Sequence, residues 1–215
     1  MLELRDVWKS YDTHGKQKHV LRNVNATFWP GDAVGIMGRN GAGKSTLVRL
    51  LAGSEQPTRG QITRTMSVSW PLGFGGAVHP SITGADNARF IARIYGKSPD
   101  WVESFVKEFA ELGEYFHLPV RTYSTGMGAR LAFGLSMAVD FDCYLVDEVI
   151  AAGDARFTER CREALLERRK RSTLLLVTHS SEILRYFCTS AAILDEGRLT
   201  FHEDMDTAIT AYNAL

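Results

Sequence analysis

Residues 38–46 read GRNGAGKST, placing three glycines, a lysine and two hydroxyls within nine positions. Glycine gives up more backbone freedom on folding than any other residue, so a bound ligand must offset what this loop costs. Gly38, Gly43, Lys44 and Ser45 satisfy G-x-x-x-x-G-K-[ST]. The pattern follows an apolar strand-like run, AVGIM at 33–37, and leads into Lys44 to Ala52, whose helical periodicity stops at Gly53. Backbone N–H groups can ring a phosphate chain only where no Cβ intrudes, and the helix that follows turns its positive end towards the anion. Arg39, Asn40, Gly41, Ala42 and Thr46 complete the cradle. Lys44 reaches the β- and γ-phosphates, and Ser45 offers its hydroxyl to Mg²⁺. The expected ligand is a nucleotide, although kinases, GTPases and transport ATPases all share such a loop.

The rest of the composition is plain. At 215 residues the chain suits one domain with a real core. Its 25 Lys and Arg balance 25 Asp and Glu, which gives no indication of nucleic-acid or anionic-membrane binding. Cys143, Cys161 and Cys188 have neither CxxC nor Cys/His spacing, so reduced structural thiols are expected. The N-terminus MLELRDVWKSY alternates apolar and charged residues and carries no signal-peptide run, and no stretch approaches the roughly 20 apolar residues of a membrane span.

Outward from the loop, Leu2 to Tyr11 and Val20 to Phe28 alternate as a strand pair, with a turn expected at 12–19 and a close at Pro30-Gly31. Gly84 to Tyr95 and Pro99 to Leu112 read as helices of a helical subdomain, and Ser124 to Val139 as another helix. A strand ending YLVDE, a helix from about Arg156 to Arg171, a strand TLLLVTH and a final strand pair around ILDEGRLTF follow. Strands alternating with helices imply an α/β fold with a largely parallel sheet.

Two strand ends add chemistry. Asp147 closes an apolar strand, the position from which an acid serves a phosphate-bound metal, and Glu148 follows as a candidate base or orienter for water in line with the γ-phosphate. His179 closes TLLLVTH on what would be the same rim, where an imidazole can hydrogen-bond the γ-phosphate.

These pieces, in this order, resemble the nucleotide-binding subunit of an ATP-binding-cassette transporter over essentially the whole chain. YSTGM, Tyr123 to Met127, is similar to that family's LSGGQ signature, matching at Ser124 and Gly126. The resemblance implies a P-loop NTPase domain with a RecA-like core, an antiparallel β subdomain and a helical subdomain at approximately 78–140. It further implies ATP and Mg²⁺ as ligands and a head-to-tail homodimer in which Ser124 and Gly126 cap the nucleotide of a second copy. By the same resemblance Tyr11 stacks on adenine and Asp154 is the acid of the D-loop, Ala151 to Asp154.

One expected part is missing, because no glutamine occurs after Gln61 to sense the metal, and Phe74 stands near its place. WPLGFGG, SITGADNARFIARIYG, YSTGM and LAFGLSMAVDFDCYLVDEV resemble the capsular polysaccharide export branch of Gram-negative bacteria. That likeness implies an integral membrane permease partner, no nucleic acid, and a peripheral place on the cytoplasmic face of the inner membrane. No room is expected after Leu215 for the carbohydrate-binding domain that O-antigen or teichoic acid exporters often add. Those exporters are the alternatives within the family, and soluble cassette ATPases of DNA repair or translation the alternatives outside transport.

Overall fold

The computed structural model describes residues 1–13, 15–72, 78–147 and 154–215. They form two compact units, residues 1–71, 141–148 and 167–215 in the first and residues 72–140 and 149–166 in the second, as far as each is described.

In the first unit, β1 (Leu2–Thr13) pairs antiparallel with β2 (Lys16–Phe28) and with β4 (Arg59–Arg64), in the order β2-β1-β4. The connection expected at 12–19 is much shorter than the sequence suggests. Lys16 to His19 are polar and exposed, yet they extend because β1 supplies pairing partners as far as Thr13↔Lys16. The larger sheet contains β3 (Ala33–Met37), β5 (Cys143–Asp147), β6 (Thr173–Val177), β7 (Ser190–Asp195) and β8 (Arg198–His202) in the order β5-β6-β3-β7-β8. Its first four strands are parallel, and β8 closes the edge antiparallel to β7. β3 and β6 are buried at every position, as a sheet covered on both faces requires.

Helix α1 (Lys44–Ala52) joins the two sheets into one core. Leu47, Val48, Leu50 and Leu51 are buried in the same cluster as Leu2, Leu4 and Phe28 of the small sheet and Val34, Ile36 and Leu175 of the large one. Each such side chain contributes roughly 1.5–3 kcal/mol by leaving water. The helix stops at Gly53, which takes φ 78° and returns its N–H to the Leu50 carbonyl. Two short helices, α6 (Ser181–Phe187) and α7 (Met205–Asn213), complete this unit.

The second unit is helical: α2 (Gly84–Ile94), α3 (Pro99–Ala110), α4 (Thr125–Met137) and much of α5 (Ala155–Arg169). Sequence signals place the starts. Thr83 accepts the Asp86 N–H at 3.0 Å and donates its hydroxyl to the Asp86 carboxylate at 2.7 Å, while Ser98 precedes Pro99 at the head of α3. Asn87 is completely buried, and its amide is fully employed by the His79 N–H and the carbonyls of His79 and Thr83. An aromatic row runs from the surface inward, from half-exposed Trp101 to buried Phe133. Trp101, Phe105, Phe109 and Phe133 stack in succession at 5.3–5.9 Å, and Phe157 meets Phe109 edge-on at 5.8 Å.

Candidate nucleotide site

The register of the large sheet brings the sequence candidates of the first unit to one rim. Ile36 of β3 is paired with Val177 of β6, and Val177 is paired with Asp147 of β5. Gly38 therefore lies two residues beyond the register position in β3, and His179 two residues beyond it in β6, while Asp147 is at it. All three lie at or just beyond the carboxyl ends of adjacent parallel strands, which is where open α/β sheets bind ligands.

Loop geometry follows from the glycines. A Cβ at Gly38 would lie 2.5 Å from the Leu194 carbonyl oxygen, so only glycine fits there. Gly41 and Gly43 take φ of 84° and 108°, a region costly for other residues. A Cβ at Gly41 would meet nothing within 4 Å. Helix α1 then begins without a side-chain cap and without an acid in its first turn, which leaves its N–H groups for an anion.

A cleft of about 290 Å³ opens on this loop, lined by Val20, Asn40, Gly41, Gly43, Lys44, Ser45, Thr46 and Asp147. Lys44 Nζ donates to the carbonyls of Gly38 at 2.6 Å and Arg39 at 3.1 Å, which holds the ammonium over the loop. Ser45 and Asp147 share the cleft with it. No group of three or more His, Cys, Asp or Glu that could hold a metal exists among the described residues. A divalent ion between Ser45 and Asp147 would thus complete its shell from phosphate and water, the usual arrangement for Mg²⁺. Val20 is a lining residue that the sequence reading did not find, since nothing in the alternation of β2 distinguishes it.

The remaining candidates are placed as follows. His179 is exposed at the rim. Thr46 is buried, with Arg49 donating to its Oγ1 at 3.3 Å and the Tyr11 hydroxyl 3.4 Å away. Tyr11 donates to Glu55 at 2.8 Å, and its ring carries Lys9 Nζ at 5.1 Å from the centroid. Burial pushes the Glu55 carboxyl upward, but the hydrogen bonds from Tyr11, Lys9 and Arg49 outweigh this and hold it below the usual carboxylate range. Glu55 was invisible as a partner in the sequence because 44 positions separate it from Tyr11.

In the second unit, Ser124 caps α4 by accepting the Met127 N–H at 3.2 Å, and it is exposed. A Cβ at Gly126 would have only Ser124 Oγ near, at 4.0 Å, and Gly128 faces open space. The first turn of α4 contains no acid. Tyr123 anchors the approach by donating to the Tyr115 carbonyl at 2.7 Å. Asp154 has a role within the chain that spacing did not suggest. It accepts the Phe157 N–H at 2.9 Å and pairs with Arg130 at 2.7 Å, and the backbone bond and that cation depress its pKa. Glu148, Ala151 and Phe74 lie outside the described residues.

A glycine loop leading into an uncapped helix, at the carboxyl edge of a parallel sheet and beside an aspartate, defines a P-loop nucleotide-binding protein. The profile of the ABC transporter family matches residues 21–151, and the chain belongs to that family. It is 52% identical to the ATP-binding protein BexA of Haemophilus influenzae, over 99% of this chain and 98% of that one. It is 51% identical over the full length of both chains to the capsule polysaccharide export ATP-binding protein CtrD of Neisseria meningitidis serogroup B. The fold is that of an ATP-binding cassette solved as a dimer with ADP and Pi in a post-hydrolysis state. That likeness has a TM-score of 0.79 at 22% identity, over 94% of this chain and 98% of the other.

Proposed function

We propose that this chain is the ATP-hydrolysing subunit of an exporter of capsular polysaccharide, working as a homodimer beneath a separate membrane permease. The match over its whole length to a capsule polysaccharide export ATP-binding protein carries the reading. The cleft supports it chemically, because Lys44, Ser45 and Asp147 line one space beside an uncapped helix end.

The residues divide the work. Loop N–H groups from Arg39 to Thr46 and the Lys44 ammonium bind the phosphates of ATP, and Tyr11 stacks on adenine. Ser45 and Asp147 would hold Mg²⁺, which draws charge from the phosphate oxygens when bound. Water attacks the γ-phosphorus, the bond to the β–γ bridging oxygen breaks, and ADP leaves with that oxygen. Glu148 is assigned the proton of the attacking water, and His179 a hydrogen bond to the γ-phosphate. Ser124 and Gly126 present an N-terminal helix turn to the nucleotide of a second copy.

A permease partner accords with two further observations. No helix among the described residues is long and apolar enough to cross a membrane. The second unit also exposes Phe90 and Ile94, one turn apart on α2, at 53% and 58%. The test is Lys44→Ala. Purified wild-type chain should hydrolyse ATP and the variant should not, and in a host lacking the chain only wild type should restore surface polysaccharide. Unchanged turnover in the variant would remove the site, and surface polysaccharide indifferent to loss of the chain would remove the export role.

A further inference from the structure

Both ends of the phosphate loop rest on the β7–β8 hairpin, from sequence about 150 positions away. The start does so directly, since Gly38 is seated against the Leu194 carbonyl at the end of β7. The other end does so through β2. A Cβ at Gly43 would stand 3.1 Å from the Val20 carbonyl oxygen and 3.2 Å from the Leu21 side chain. A Cβ at Gly197, in the hairpin turn, would stand 2.6 Å from that same oxygen and 3.3 Å from Leu21 Cα. The turn is locked in place by the Arg22 N–H, which donates to the Gly197 carbonyl at 2.8 Å. Glu196 and Gly197 take φ of 44° and 79°, the paired left-handed residues of a tight hairpin turn.

We propose that Gly197 is a positioning residue for the phosphate cradle: it lets the hairpin turn close on the Val20 carbonyl, and that carbonyl sets where Gly43 and the first turn of α1 stand. The proposal rests on the nucleotide reading of the cleft. A side chain at 197 must displace the Val20 carbonyl or the turn itself, and Val20 both lines the cleft and abuts Gly43. The contact with Val20, not the backbone conformation, sets this glycine apart. Gly31 also has positive φ, at 89°, but a Cβ there would meet nothing within 4 Å.

The experiment compares Gly197→Ala with Gly31→Ala in the full chain, measuring melting temperature and calorimetric affinity for ATP and for inorganic tripolyphosphate. Both variants should melt lower, because each forces alanine into the left-handed region. Only the variant at 197 should bind more weakly, by about tenfold and by the same factor for both ligands, a smaller loss than the roughly 10²-fold that a 1 Å misplacement of positioned groups can cost in rate. Should the alanine variant fail to fold, Gly197→Asn carries the test, because asparagine tolerates positive φ while keeping the Cβ contact. Wild-type affinity for both ligands in a folded 197 variant overturns the positioning role and leaves the nucleotide site standing. Loss for ATP alone overturns it too, by placing the effect on the nucleoside. Absence of binding by wild type itself overturns both readings.

Discussion

Lys44 and Arg64 act at opposite ends of α1, and each shows how much a single side chain fixes. The Lys44 ammonium is held by the carbonyls of Gly38 and Arg39, so rotamer freedom worth roughly 2 kcal/mol is already restricted over the loop. Arg64 reaches from β4 to the other end, where its guanidinium donates to the Leu50 carbonyl and, at 3.1 Å, to the Leu51 carbonyl. These are the last carbonyls of a helix, which have no partner within it. Burial lowers the pKa of Arg64, a shift that its guanidinium tolerates while remaining charged. Arg64→Met keeps much of the aliphatic packing and removes both donors. It should cost about 1–2 kcal/mol in urea unfolding, the usual consequence of stranding a part-buried acceptor. An unchanged unfolding midpoint would mean that water replaces the guanidinium at no cost.

At the scale of elements, four aspartates tie the ends of helices and strands. Asp86 is held below its ordinary pKa chiefly by Thr83, Asp142 by the Ser67 N–H, Asp154 by the Phe157 N–H and Asp204 by the Thr207 hydroxyl. Asp142 ties the segment at Ser67 to the start of β5 with two bonds of 2.8 Å. The sign follows from linkage. With the folded pKa below the unfolded value near about 4, the unfolded chain takes up protons first as pH falls. The stability these groups contribute is therefore complete above about pH 5 and is lost as pH drops through the folded values. The gap in urea midpoint between wild type and Asp142→Asn should be widest above pH 5 and close towards pH 3. A gap independent of pH would show that the carboxylate charge is irrelevant to the tether.

The same scale explains what the sequence made legible. α1 was readable because apolar residues recur at helical spacing between Gly43 and Gly53, and α2 because Phe90, Ile91 and Ile94 recur at the same spacing. β4 was not, since RGQITR offers one apolar residue and no alternation, and the strand exists because β1 pairs with it. α6 was missed because seven residues are too few to display a period. Site residues followed the same division. The cradle is contiguous and Asp147 and His179 end apolar runs, whereas Val20 and Glu55 reach their places through pairings that only the fold creates.

For the whole molecule, the sharpest consequence of the proposed homodimer is that a site assembled from two copies could be rebuilt from two defective ones. Lys44 belongs to the first unit and Ser124 to the second. If Ser124 serves the partner's nucleotide, Ser124→Arg should silence ATP hydrolysis while leaving ATP binding, at a cost of about 1 kcal/mol for the lost cap of α4. Lys44→Ala should silence it by losing the phosphate's counter-cation. A mixed dimer then contains one site with both defects and one with neither, because the intact loop of the Ser124→Arg chain faces the intact signature of the Lys44→Ala chain. Mixing the two inactive proteins should recover ATPase activity, greatest near equal proportions. A site completed within one chain predicts no recovery at any ratio, since each site would then keep one defect, the loop in the Lys44→Ala chain and the signature in the Ser124→Arg chain.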